Sequence, residues 1–170
     1  SMKGKKILVI DLDPQGNATT GLGLSNTTNS DKTIYNVLNG NKKINEVIQS
    51  TSFENLNLIT SNVDLSGLEV ETAGDNRRAF KLKDELAAIL NDSGASYDYI
   101  LIDCPPSLSL LTIMALVASD ALVVPLQTEF FALEGLTQLM KTIERIKSNL
   151  NPQLVICLLY TSDAADDKQC

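Results

Sequence analysis

Ile7-Leu8-Val9-Ile10-Asp11-Leu12-Asp13-Pro14-Gln15-Gly16-Asn17-Ala18-Thr19-Thr20-Gly21-Leu22-Gly23 is the stretch from which the fold is read. It begins as a continuous apolar run and ends in two carboxylates, a proline and a set of small polar residues. A short apolar run bounded by turn signals is the pattern of a strand buried on both faces of a parallel sheet. Polar groups just past the carboxyl end of such a strand stand where open α/β sheets place their ligands. Alone, Asp-x-Asp-Pro is equally well an ordinary turn after a core strand. A second stretch of the same design, Tyr99-Ile100-Leu101-Ile102-Asp103-Cys104-Pro105-Pro106-Ser107, favours the ligand-site reading.

Outward from these two stretches, apolar periodicity alternates between helix and strand. Ile34, Val37 and Leu38 give a short helix stopped by Asn39-Gly40, and Ile44, Val47 and Ile48 give another. Leu56 to Ile59 reads as a strand, and Asn62 to Gly74 as one short helix. Phe80, Leu82, Leu86, Ile89 and Leu90 recur at helical spacing, which predicts an amphipathic helix over 77–91. Arg77, Arg78, Lys81 and Lys83 gather at its start and read as a solvated helix end rather than a binding patch. Leu108 to Ala118 is an apolar helix, and Ala121 to Leu126 a third core strand. Leu133 to Leu150 is a long amphipathic helix ended by Asn151-Pro152, and Leu154 to Leu159 a fourth core strand. Ser25 to Asp31 is a polar loop. Alternating strands and helices imply right-handed crossovers, hence an α/β fold with a mostly parallel sheet and helices on both faces.

Composition narrows the chemistry. The 170 residues suit one domain, and 44% hydrophobic with 21% charged residues suits a globular protein. No run approaches the roughly 20 apolar residues of a membrane span. With no histidine, and with Cys104, Cys157 and Cys170 at no metal-ligand spacing, a zinc centre and the Ser-His and Cys-His nucleophile pairs are excluded. The sparse, odd set of cysteines points to a reducing, cytoplasmic compartment. A net charge of −7 opposes a strongly electrostatic nucleic-acid surface on this chain by itself.

Two buried strands that each end in aspartate suit nucleotide hydrolysis. A strand-end carboxylate can hold Mg²⁺ through water while another orients the water that attacks a γ-phosphate. Tyr99 to Asp103 has the Walker B form, which is weak alone and stronger beside Asp-x-Asp-Pro-Gln-Gly-Asn. Asp11 to Thr19 closely resembles the switch segment of the ParA/MinD deviant-Walker ATPases, and of the ParA/Soj partition proteins in particular. Asp103-Cys104-Pro105-Pro106 resembles their second switch. Ser61 to Gly67, Val124 to Glu129 and Leu133-Glu134-Gly135 also look like ParA. The resemblance spans about residues 3 to 156.

The resemblance implies a P-loop NTPase-like fold and roles for particular residues. Asp13 would position the attacking water, and Asp11 would support the metal and phosphate region. Asp103 would bind Mg²⁺ through water. Pro14, Gln15, Gly16, Asn17 and Thr19 would form the mobile segment that senses the γ-phosphate, and Pro105 and Pro106 would shape the second switch. From the residues alone, Asp11 could equally cap a turn, Gly16 could merely supply a positive φ, and Cys104 reads as packing. The intact family implies ATP and Mg²⁺ as cofactors, a homodimer, a ParB-type centromere-binding partner, nonspecific DNA binding and a cytoplasmic, nucleoid-associated site of action. A MinD-like membrane-associated ATPase and a natural pseudo-ATPase interaction module are the alternatives; the Asp-Pro-Gln-Gly-Asn-Ala-Thr-Thr form favours ParA.

The pattern breaks at both ends. The family opens with a strand and a Lys-Gly-Gly-x-Gly-Lys-Thr loop whose N–H groups and lysines hold phosphate. No such loop is present here, so the expectation is a fragment lacking the first strand and first helix, without bound nucleotide and catalytically idle. Residues 1–2 read as a cloning remnant, 3–160 as an incomplete nucleotide-hydrolase domain and 161–170 as a non-native tail. A missing central strand would expose strand edges through which copies self-associate.

Overall fold

In the computed structural model, the described residues are 4–25, 31–90, 97–127 and 132–161. They fall into two compact units, residues 1–115 and 116–170. The first is organised on strand β1 (Ile7–Asp11), which pairs in parallel with β3 (Leu56–Ile59) on one side and β4 (Tyr99–Asp103) on the other. A two-residue strand β2 (Gln49–Ser50) adds antiparallel to β3, giving the order β2-β3-β1-β4. The sequence reading missed β2, whose Gln-Ser pair carries no apolar signal.

Register explains the burial. Leu8 and Ile10 of β1 and Ile59 of β3 point to one face and are fully buried. Leu58, Val9 and Leu101 share the opposite face across β3, β1 and β4. Along that row, exposure rises from 0% at Leu58, through a half-buried Val9, to 54% at Leu101. Tyr99, on the same face of β4, is 58% exposed. β4 has the composition of a central strand yet ends its sheet, with neither proline nor lysine to blunt the edge.

Short helices close the other layer. Helix α1 (Asn17–Gly21) follows β1 directly, and α2 (Ile34–Leu38) buries Ile34, Val37 and Leu38 before Gly40 ends it at φ 85°. Helix α3 (Ile44–Val47) has its start fixed by Glu46, whose carboxylate accepts the Lys43 N–H at 2.7 Å. The single helix expected over 62–74 is instead a 3₁₀ turn, Val63–Gly67, running into α4 (Leu68–Glu71), with Gly67 at the join. A 3₁₀ turn, Arg78–Phe80, leads into α5 (Lys81–Leu90), which buries Leu82, Leu86 and Ile89 at helical spacing. Its basic start is internally paired: Arg77 meets Asp84 at 2.9 Å and stacks 5.4 Å from the Phe80 ring, and Lys81 meets Asp75 at 3.4 Å.

Apolar helix α6 (Leu110–Ala118) runs across the division between the units. In the second unit, β5 (Ala121–Gln127) pairs in parallel with β6 (Val155–Thr161), joined through α7 (Ala132–Leu150). Asn151, just past α7, donates from Nδ2 to the Leu116 and Ser119 carbonyls at 2.8 Å each and so satisfies the end of α6. Val123 and Val155 are 53% and 55% exposed, so neither β5 nor β6 is buried on both faces as the sequence reading expected. The described residues form a four-stranded and a two-stranded sheet. Leu133, Leu136 and Leu139 of α7 lie outside the described side chains, and residues 162–170 and most of the Ser25–Asp31 loop outside the described residues. Among the described residues, no helix is long and apolar enough to cross a membrane.

Candidate nucleotide-switch site

The site forms where β1 and β4 end side by side. Asp11 and Asp103 are register partners on these adjacent strands, about 5 Å apart in backbone spacing. Leu12 N–H donates to the Asp103 carbonyl at 2.8 Å, carrying the pairing one residue further.

Asp11 is completely buried and internally satisfied. Its Oδ2 accepts from the Thr19 N–H at 2.7 Å and the Thr19 hydroxyl at 2.6 Å; its Oδ1 accepts from the Asp13 N–H at 3.1 Å. A buried carboxyl group needs such donors to replace the water it has lost. Both oxygens are spent on the loop, so Asp11 ties the end of β1 to helix α1. This realises, in a stronger form, the capping alternative that the residues alone had left open.

Thr19, also completely buried, relays this tie: its Oγ1 accepts the Ser61 N–H at 3.1 Å. Ser61 in turn donates its hydroxyl to the Asp13 carbonyl at 2.6 Å. Ser61 had been noted only as part of a resemblance, and sequence separation hides its role, for it reaches back from just beyond β3. Gly16 takes the left-handed conformation, φ 64° and ψ 33°, and its N–H donates to the Asp13 carbonyl at 2.9 Å. The positive φ is therefore real and lets the chain turn from Asp13 into α1.

Asp13 is half-buried and its Oδ1 accepts the Gln15 N–H at 3.0 Å. Pro14 is half-buried, while Gln15 and Asn17 are exposed. Across from them, Asp103 is solvent-exposed, Pro105 half-buried and Pro106 exposed. Thr112, on α6, pins the second loop by donating its hydroxyl to the Ser107 carbonyl at 2.6 Å. Partial desolvation by the surrounding protein atoms, then the charges of Asp11 and Asp13, push the Asp103 carboxyl above its ordinary range, against the Cys104 N–H, which favours the charged form. Burial, then the charges of Asp103 and Asp13, push the Cys104 thiol up to about 12, which fits a packing residue and not a nucleophile. Among the described residues, no cluster of three acids and cysteines is close enough to grip a metal ion directly. Carboxylates that repel one another without a direct cage suit a hydrated divalent cation.

A hollow of about 170 Å³ opens between the two loops, with Pro14 on one wall and Pro105 on another. The structure thus brings Asp11, Asp13, Gly16, Thr19 and Asp103 to one end of one sheet, with both proline loops beside them.

Residues 1–156 match the family model described as AAA domain. The chain is 50% identical over 153 residues to the chromosome partitioning protein ParA of Caulobacter vibrioides, covering 90% of this chain and 56% of that protein. It is 44% identical over 153 residues to the sporulation initiation inhibitor protein Soj of Bacillus subtilis, covering 90% of this chain and 58% of Soj. Among solved structures it is similar to a plasmid partition protein of Borrelia burgdorferi, with TM-score 0.75 and 30% identity over 93% of this chain and 66% of that one. A cobyrinic acid a,c-diamide synthase of Mycobacterium smegmatis, solved with bound ADP and magnesium, matches with TM-score 0.85 and 34% identity over 94% of this chain and 63% of that one. The chain spans little more than half the length of the curated relatives it matches. It belongs to the AAA domain family.

Proposed function

We propose that this chain is the switch-bearing part of a ParA-type partition ATPase. The observation that carries the reading is the convergence of Asp11, Asp13 and Asp103 at the ends of two paired parallel strands. In the intact protein, Asp13 would orient the attacking water, and Asp103, whose carboxyl is raised first by desolvation and then by the charges of Asp11 and Asp13, would hold Mg²⁺ through water. Mg²⁺ would supply charge neutralisation at the phosphates when bound. Gln15, Asn17 and Pro106, exposed beside these carboxylates, would be free to meet a nucleotide, while Pro14, Gly16, Thr19 and Pro105 would set the shape of the two loops. The intact protein dimerises around ATP, binds DNA without sequence preference and answers to a ParB-type partner, as a cytoplasmic, nucleoid-associated machine.

The chain as it stands carries no Lys-Gly-Gly-x-Gly-Lys-Thr segment. Phosphate binding then forgoes several charge-assisted hydrogen bonds of about 1.5–3 kcal/mol each, so ATP does not bind measurably. Its open β4 edge, with Tyr99 and Leu101 uncovered, favours self-association. Calorimetric titration with ATP and Mg²⁺ tests the first statement, and micromolar binding overturns it. Multi-angle light scattering tests the second: Leu101→Lys should return an associating chain to monomer, and a wild-type chain that stays monomeric at high concentration overturns it.

A further inference from the structure

We infer that the open edge of β4 pairs with the β4 edge of a second copy of this chain, antiparallel, with Tyr99 of each copy opposite the partner's Leu101. The backbone shows which groups are left to pair. The Tyr99 N–H donates to the Lys6 carbonyl at 3.4 Å, and the Asp103 carbonyl accepts the Leu12 N–H at 2.8 Å. Residues 99, 101 and 103 therefore direct their peptide groups towards β1. Alternation along the strand turns those of Ile100 and Ile102 outward, at an edge where the four-stranded sheet supplies no neighbour. Such a row is a template for another strand.

The side chains select the register. Tyr99 and Leu101 stand on one face of β4, 58% and 54% exposed. With Ile100 opposite the partner's Ile100, these two outward residues exchange both of their N–H···O=C bonds. The pairs on either side are then Tyr99 with the partner's Leu101 and Leu101 with the partner's Tyr99. Aromatic against aliphatic is a stabilising cross-strand pair, and two-fold symmetry makes it twice. Centring the two-fold on Leu101 would instead set each Tyr99 against a carboxylate, the partner's Asp103. Charge selects the direction. Asp11, Asp13 and Asp103 gather at the carboxyl end of the sheet, and Lys5 and Lys6, both exposed, stand at the other. An antiparallel pair brings each acidic end to about 10 Å, two strand spacings, from the partner's lysine end; a parallel pair would put acids beside acids. This pairing rests on the self-association proposed for the edge and narrows it to one partner and one register.

The test is disulfide cross-linking between Tyr99→Cys and Leu101→Cys chains, each with Cys104→Ser, Cys157→Ser and Cys170→Ser, at concentrations where the wild-type chain associates. In the inferred register the two new cysteines face each other with Cα atoms about 4.5 Å apart, inside the disulfide range. Two copies of the same variant hold theirs about 8 Å apart, outside it. Under mild oxidation the equimolar mixture should give covalent dimer roughly tenfold faster than either variant alone, read on non-reducing gels. Tyr99 and Leu101 are exposed, so both variants keep the fold, which circular dichroism checks. Leu101→Cys chains that cross-link by themselves as fast as the mixture overturn the register. A mixture no faster than either variant overturns the pairing. Light scattering of the wild-type chain separates the two readings: association without the mixed disulfide refutes this pairing and leaves self-association standing, whereas a monomer refutes both.

Discussion

Replacing Thr19 with valine should cost this fold heavily. The two side chains are nearly the same shape, so the substitution removes a hydroxyl and little else. That hydroxyl donates to the buried Asp11 carboxylate at 2.6 Å and accepts the Ser61 N–H at 3.1 Å, and Thr19 is 0% exposed. Losing a hydrogen bond to a charged group costs about 1.5–3 kcal/mol, and stranding the buried Ser61 N–H adds about 1–3 kcal/mol. Allowing for partial relaxation, Thr19→Val should destabilise the chain by about 3 kcal/mol, a large share of an ordinary domain's stability. With a urea dependence of about 2 kcal/mol per M, the unfolding midpoint falls by about 1.5 M. Thr19→Ser is the control, since it keeps both hydrogen bonds and loses only a methyl group worth about 0.8 kcal/mol. Urea denaturation followed by circular dichroism measures all three proteins. Equal losses for valine and serine, or a valine loss under about 0.5 kcal/mol, would refute the claim that Asp11, Thr19 and Ser61 form one structural tie.

Other outcomes follow from the same geometry. Asp103→Asn should stabilise the chain at pH 7. Its carboxyl is held above the ordinary value of 3.8 in the fold, so the native state holds the proton more tightly than the unfolded chain. The wild-type penalty therefore grows as pH rises through the folded value and vanishes well below 3.8, and the gain from Asn in thermal unfolding should vanish with it. Asp98 behaves in the opposite sense. Lys5, at 2.7 Å, and the Lys6 N–H hold its carboxyl below the ordinary range, so its contribution is present above 3.8 and fades as pH falls through the lower folded value. Asp98→Asn should accordingly lower the melting temperature at pH 7 and leave it unchanged in strong acid. Iodoacetamide at pH 8, read by peptide mass spectrometry, should modify the exposed Cys157 quickly and Cys104, with its thiol pushed up to about 12, slowly. Comparable rates would remove the assignment of Cys104 to packing.

Much of this was legible because it is local. The apolar runs ending in Asp11 and Asp103 fixed two strands, and their parallel pairing brings the aspartates together as read. Periodicity placed α5 and α7 within a few residues. What escaped was long-range. No pattern near Ser61 announces that it bonds both Thr19 and the Asp13 carbonyl. Asp11 looked like an acid at a strand end; only the folded chain shows both its oxygens occupied by the loop that follows. Strand order was not legible either, because apolar runs report burial but not neighbours. Gly67 is the local reason that one expected helix became a 3₁₀ turn followed by a single α turn, since glycine there offers little to hold a helical run together.

The central claim is that Asp13 and Asp103 are the hydrolytic half of a nucleotide site whose phosphate-binding half lies elsewhere. The direct measurement is ATP turnover by a chimera in which a designed strand, Lys-Gly-Gly-x-Gly-Lys-Thr loop and helix precede Lys5. The account predicts Mg²⁺-dependent hydrolysis that Asp13→Ala abolishes while nucleotide still binds. A folded chimera that binds ATP and turns it over equally well without Asp13 would contradict it.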